Sequence, residues 1–231
     1  MIILIGNFMK YREYFFTEKK GDRMDILNKI GNLHIVPVVV MEKADNSEPL
    51  AEALLAGGLP CAEITFRTDA AAESIKRISN YKDICLGAGT VLSVEQVKQA
   101  VDAGAQFIVT PGFNPKVVGY CVENNIPVTP GICNPTQIEM GLEYGLKIFK
   151  FFPAEAYGGI KTLKAISSPY KIVKFIPTGG INIKNLRDYL SLNNVFACGG
   201  SWPVKSHLIQ EHKFNQITAL VKEAVNIVKT K

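Results

Sequence analysis

Lys150 lies in Ile148-Phe149-Lys150-Phe151-Phe152-Pro153, a single amine in an otherwise apolar run. A lysine in such a place ordinarily lays its stem along apolar surface and keeps its amine in water. Alternation along a strand offers a second orientation: if Phe149 and Phe151 face outward, Lys150 faces inward. An ammonium is costly in a low-dielectric interior, so an inward lysine favours the neutral amine. A neutral amine can attack a ketone and form an imine, which, once protonated, withdraws electrons from the neighbouring carbon. The chemistry expected of this residue is carbon–carbon bond cleavage beside a keto group.

A second group of reactive types occurs in Glu63-Ile64-Thr65-Phe66-Arg67. Positions 63, 65 and 67 share one face of a strand, so a carboxylate, a hydroxyl and a guanidinium stand in line. Two readings are open: a structural ion pair at a strand end, or proton transfer by Glu63 beside an Arg67 that grips a carboxylate. Thr178-Gly179-Gly180 and Gly199-Gly200-Ser201 are glycine turns whose backbone N–H groups can approach an anion closely. Either could equally be a tight turn; two in succession favour a phosphate site. The three histidines, His34, His207 and His212, form no metal-binding spacing, so no metal and no cofactor is expected.

These residues need elements to hold them. From residue 24 onward, apolar β-branched runs alternate with amphipathic stretches. Candidate strands are 35–41, 61–66, 85–91, 107–111, 127–131, 147–152, 173–177 and 195–198. Most are continuous rather than alternating, as in parallel strands covered on both faces. Helices are expected at 47–55, 69–78, 93–103, 182–192 and 214–229. Asn114-Pro115 and Asn134-Pro135 mark two further helix starts, a cap residue before proline. Near-equal units without a composition break predict a single-domain α/β chain, a (β/α)8 TIM barrel with its chemistry at the carboxyl ends of the strands. A doubly wound open sheet is the alternative, but its usual glycine-rich phosphate fingerprint is missing.

Residues 1–23 differ from the rest and precede Met24. They read as a loosely ordered extension, upstream of a second start, with the barrel domain at 24–231. The remaining composition excludes more than it assigns. Of 231 residues, 47% are apolar and 20% charged, as in ordinary globular chains. A net charge of +5 without a basic run or aromatic-interleaved patch leaves no nucleic-acid footprint. No apolar run reaches a membrane span's ~20 residues, and the apolar start is too short for a signal peptide. Five cysteines without a C-x-x-C pair read as buried free thiols in a reducing cytoplasm.

Two long segments resemble the signatures of the KDPG/KHG aldolases (2-dehydro-3-deoxy-6-phosphogluconate and 4-hydroxy-2-oxoglutarate aldolases). One runs from Gly58-Leu59-Pro60-Cys61 to Glu63-Ile64-Thr65-Phe66-Arg67. The other is Gly145-Leu146-Lys147-Ile148-Phe149-Lys150-Phe151-Phe152-Pro153-Ala154-Glu155-Ala156-Tyr157-Gly158. Gly87-Ala88-Gly89-Thr90-Val91, Pro177-Thr178-Gly179-Gly180-Ile181 and Gly199-Gly200-Ser201-Trp202 fall where that family has similar segments, and the likeness covers about 24–228.

The resemblance implies a class I aldolase with Lys150 as the Schiff-base residue and Glu63 as general acid/base. It places Arg67 and Thr90 on the substrate carboxylate, and has Pro111 and Phe152 shape the pocket. Gly179, Gly180, Gly199 and Ser201 would receive the phosphate. It also implies a cytoplasmic homotrimer acting on a phosphorylated 2-keto acid to release pyruvate and glyceraldehyde 3-phosphate. Pro203, where an aliphatic residue is expected, and Cys133-Asn134-Pro135 depart from the family pattern near the mouth. Other readings stand beside this one: the galactonate epimer as substrate, a phosphosugar isomerase or epimerase, or a non-catalytic phosphometabolite-binding barrel.

Overall fold

The computed structural model of the chain describes residues 20–229. Strands and helices alternate from end to end. The strands are β1 (Ile35–Val39), β2 (Cys61–Thr65), β3 (Cys85–Gly89), β4 (Phe107–Val109), β5 (Val128–Thr129), β6 (Gly131–Ile132), β7 (Ile148–Phe151), β8 (Lys174–Pro177) and β9 (Cys198–Gly200). All paired strands run parallel, in a six-stranded sheet ordered β5-β4-β3-β2-β1-β9 and a three-stranded sheet ordered β6-β7-β8. This is an α/β fold with a curled parallel sheet.

The helices are α1 (Lys20–Leu33), α2 (Ser47–Gly57), α3 (Ala71–Ile78), α4 (Val94–Asp102), α5 (Pro115–Glu123), α6 (Pro135–Glu143), α7 (Gly159–Ser167), α8 (Leu186–Leu190), α9 (Ser206–Gln210) and α10 (Phe214–Lys229). Three of the expected caps close their helices, while Ser47, expected to cap 47–55, is itself the first residue of α2 and makes no cap hydrogen bond. Ser93 Oγ accepts from the Gln96 N–H at 3.3 Å, Asn114 Oδ1 from Lys116 at 3.1 Å, and Asn134 Oδ1 from Gln137 at 3.0 Å. Each satisfies a backbone donor that the first helical turn leaves without a partner.

Several boundaries differ from the sequence reading, for local reasons. The expected strand 127–131 is split into β5 and β6 at Pro130, which has no N–H to give the ladder. The Pro130 carbonyl still accepts from Lys150 N at 3.0 Å, so the backbone runs on from one sheet to the other. The eighth strand lies at Cys198–Gly200 rather than 195–198; Val195 makes only an isolated bridge to Phe175, and Thr178 another to Gly199. The expected helix 182–192 shrinks to α8. Asn185 Oδ1 accepts from Asn182 N at 2.8 Å and Asn182 Oδ1 from Lys184 N at 2.9 Å, local side-chain turns that compete with helix. Helices α7 and α9 were not anticipated.

Neither was α1, which crosses the boundary drawn before Met24. Most of the expected extension at 1–23 lies outside the described residues. In α1, Ile26, Leu27 and Ile30 share one helix face and are buried against Val36, Cys61, Cys85, Phe107 and Ala197. Those partners stand at the amino ends of their strands. A second, larger core packs the outward faces of the strands, among them Ile64, Ala88, Ile108, Phe149, Phe151 and Phe175, against the helices. Parallel strands buried on both faces account for the continuous apolar runs in the sequence.

Candidate active site

Alternation along β7 sends Phe149 and Phe151 into the outer core, each fully buried, and turns Lys150 inward. On β2 the same period puts Ala62 and Ile64 outside and Glu63 inside. Lys150 and Glu63 are 4% and 3% exposed, and Lys150 Nζ stands 3.3 Å from Glu63 Oε1 across the interior. The two are 87 positions apart in sequence. Both side chains line a small cavity of about 10 Å³, together with Thr129 and Thr178 and with apolar residues that include Ile30 and Phe107.

Glycine makes room for this pair. Gly89 of β3 sits beside the Glu63 carboxylate, and a methyl group in its place would collide with Oε1. The Lys150 amine also lies 5.1 Å from the centre of the Phe152 ring, so Phe152 walls the amine on one side.

A second polar pair sits further toward the mouth. Arg67, exposed just past β2, donates from Nε to Thr90 Oγ1 at 3.4 Å. Thr90 follows β3 with φ 54°, a left-handed conformation that a β-branched residue rarely adopts. Of the two readings of Glu63 and Arg67, the structural ion pair is not what the geometry contains: the cation on Glu63 is Lys150. Thr65, on the same strand face, is used structurally and donates to the Val39 carbonyl at 2.7 Å. Pro111 follows β4 half-buried, its carbonyl packed so close to Gly131 that a side chain there would clash.

The Thr178-Gly179-Gly180 turn follows β8, whereas Gly199 and Gly200, expected as a second turn, are the last two residues of β9. Gly179 and Gly180 have φ of 96° and 84°, open to glycine and strained for other residues. Gly199 abuts Thr178, whose hydroxyl a methyl group at 199 would strike, while Ser201 is exposed at the rim. The structure therefore brings Lys150 and Glu63 into contact and Arg67 and Thr90 into a second contact, with the glycine segments after β8, which pairs with β7, and on β9, which pairs with β1. The sequence marks Gly89, Thr129 and Thr178 only by position, at or near the carboxyl end of a strand, and gives none of them an individual role.

With this geometry in hand, relatives can be set beside it. Residues 26–220 match the model of the family described as KDPG and KHG aldolase. This chain belongs to that family. The 2-dehydro-3-deoxy-phosphogluconate aldolase of Haemophilus influenzae is 49% identical over 205 residues, covering 88% of this chain and 97% of the relative. The KDPG aldolase of Legionella pneumophila, solved with pyruvate captured as a covalent carbinolamine intermediate, superposes with a TM-score of 0.82 at 40% identity. It covers 85% of this chain and 96% of that one. The aldolase of Zymomonas mobilis solved with 3-phosphoglycerate matches at the same TM-score and 38% identity, over 88% of this chain and 96% of that one. Among the described residues no helix is long and apolar enough to cross a membrane.

Proposed function

We propose that this chain is a class I aldolase that cleaves 2-dehydro-3-deoxy-6-phosphogluconate to pyruvate and glyceraldehyde 3-phosphate. The observation that carries the reading is the buried contact between the Lys150 amine and the Glu63 carboxylate, 3.3 Å apart. A carboxylate at that distance can take the ammonium proton and leave a nucleophilic amine.

The neutral amine adds to the C2 ketone to form a carbinolamine. Glu63 returns its proton to the departing hydroxyl, water leaves, and a protonated imine remains. The Glu63 carboxylate then takes the C4 hydroxyl proton; C4 becomes the aldehyde carbon and the C3–C4 bonding pair moves toward the imine nitrogen, giving an enamine. Glyceraldehyde 3-phosphate departs. Glu63 protonates C3, and hydrolysis of the imine frees pyruvate and Lys150. Holding acid, base and nucleophile in one pocket replaces successive bimolecular encounters with local transfers.

In this reading Arg67 and Thr90 receive the substrate carboxylate, Pro111 and Phe152 shape the pocket, and Gly179, Gly180, Gly199 and Ser201 receive the phosphate. The two sheets form one closed (β/α)8 barrel within a domain spanning 24–231. The continuous backbone through Pro130 and the two isolated bridges between the β8 and β9 segments support that closure. The protein acts as a cytoplasmic homotrimer; its five free cysteines suit a reducing compartment, and closed cyclic assembly is the common route to homo-oligomers. Sedimentation of the purified protein tests the trimer.

Borohydride reduction in the presence of labelled pyruvate tests the chemistry. Wild type is expected to gain one reduced pyruvyl group on Lys150, and Lys150→Ala none, with turnover at background. No pyruvate-dependent mass gain in the wild type defeats the imine mechanism. Comparing pyruvate release from the gluconate and galactonate phosphate epimers and from 4-hydroxy-2-oxoglutarate then ranks the substrates.

A further inference from the structure

The Gly179-Gly180 turn has two successive residues with left-handed φ, and nothing in its own backbone makes that conformation rigid. It is held from behind. The Thr178 carbonyl accepts from Ala154 N at 2.8 Å and the Gly179 carbonyl from Glu155 N at 3.0 Å. The Gly180 carbonyl accepts from the side-chain amides of Asn182 and Asn185, both at 3.1 Å. A trans peptide points its N–H opposite to its carbonyl, so pinning these three carbonyls aims the N–H groups of Gly179, Gly180 and Ile181 the other way. The shape of the turn thus depends on residues 154–155, which belong to the loop after β7.

One side chain ties that loop to α8. Glu155 passes directly behind the turn: a methyl group on Gly180 would stand 2.5 Å from its Cγ. A methyl on Gly159, at the start of α7, would stand 2.8 Å from Glu155 Oε1 and 3.0 Å from the Tyr189 hydroxyl. The Tyr189 hydroxyl donates to Glu155 Oε1, and its ring, on α8, is fully buried. Glycines at 159 and 180 are therefore what allow the carboxylate to lie between the turn and α8. Burial, and then the adjacent carboxylate, push the Tyr189 hydroxyl well above the usual tyrosine range, so it stays a donor at ordinary pH. Swung free, the same carboxylate would be a negative charge beside the turn.

We propose that Glu155 and Tyr189 are positioning residues. By clamping the loop after β7 to α8, they hold the Gly179-Gly180 turn in its anion-receiving shape and set the preference for phosphorylated over unphosphorylated substrates. Neither touches the reacting carbons. The proposal rests on the assignment of this turn to the substrate phosphate, and the test separates the two.

The measurements are kcat and KM for 2-dehydro-3-deoxy-6-phosphogluconate and for 4-hydroxy-2-oxoglutarate, competitive inhibition by inorganic phosphate, and borohydride trapping of pyruvate. Tyr189→Phe removes one hydrogen bond to a charged acceptor, and should raise KM for the phosphorylated substrate about tenfold. Phosphate inhibition should weaken by a similar factor, with kcat on the unphosphorylated acid and pyruvate trapping unchanged. Glu155→Gln keeps an oxygen that accepts the tyrosine O–H and should stay close to wild type, whereas Glu155→Ala should follow Tyr189→Phe. This surface pair keeps the test valid if loss of the tyrosine hydroxyl impairs folding. Equal losses on both substrates, or an unchanged KM for the phosphorylated one, overturn the positioning role. A wild type that neither favours the phosphorylated acid nor responds to inorganic phosphate overturns the phosphate assignment itself, and the positioning role with it.

Discussion

The interior enclosed by the strands has two ends of opposite character built from the same strands. At the amino end, Cys61 of β2, Cys85 of β3 and Phe107 of β4 meet Ile26, Leu27 and Ile30 of α1 in an apolar cluster. Further along the strands the inward positions are Glu63 on β2, two residues past Cys61, and Gly89 on β3, four past Cys85, with Lys150 on β7 and Thr178 at the end of β8. On β2 a displacement of two residues, about 7 Å along a strand, separates packing from chemistry. The thiol of Cys61, against Cys85 and fully buried, is pushed well above the usual range and stays protonated. The amine of Lys150, almost as enclosed, has a carboxylate partner. Burial alone does not make a titratable group reactive; a charged partner that can exchange its proton does.

Mutations should separate the two ends. Glu63→Gln leaves the volume of the carboxyl end nearly unchanged and removes its base, so kcat should fall by about 10²–10⁴. Circular dichroism should show an intact fold, and slow pyruvate trapping should persist at Lys150. Retention of full kcat would remove Glu63 from the mechanism.

Gly89→Ala sharpens the comparison, because the added methyl collides with the Glu63 carboxylate and with little else of consequence. Displacing the base by about 1 Å should lower kcat roughly 10²-fold. Loss of stability without loss of kcat in the folded fraction would show that the carboxylate has room to move.

Ile26→Val acts at the other end, trimming one methylene from the buried face of α1. It should cost about 0.5–1.5 kcal/mol in unfolding free energy, read by denaturant titration, and leave kcat as it was. A change in kcat from so small a cavity would mean that the apolar end and the reactive end are coupled.

Much of this was legible because two strand periods carry the information. Phe149 and Phe151 around Lys150 offer an inward orientation once the run is read as a strand, and alternation sets Glu63 on one face with Thr65 and Arg67; Ala62 and Ile64, packed in the outer core, then fix that face as the inner one. Cap residues before proline located α5 and α6 for similarly local reasons. What was lost depends on distant neighbours. The face of α1 was present in the spacing of Ile26, Leu27 and Ile30, but no sequence rule says that a helix will cover the amino ends of the strands. Gly89 falls within a candidate strand with nothing to mark its role, and only the path of Glu63 explains why a methyl group cannot stand there. Glu155 lies in the second signature segment, but nothing there pairs it with Tyr189, 34 positions away.

Residue types and alternation determined, without coordinates, that this chain is built of parallel strands and helices, that one lysine has an inward orientation open to it, and that a glutamate shares a strand face with a threonine and an arginine. Those properties follow from side-chain direction and local backbone preference, both short-range. Which cation meets Glu63 was decided only in three dimensions. Arg67 is four residues away and Lys150 is 87, yet strand geometry carries the arginine out to the rim and brings the lysine across the centre. Distance through space is set by how the strands curl, and no local propensity contains it.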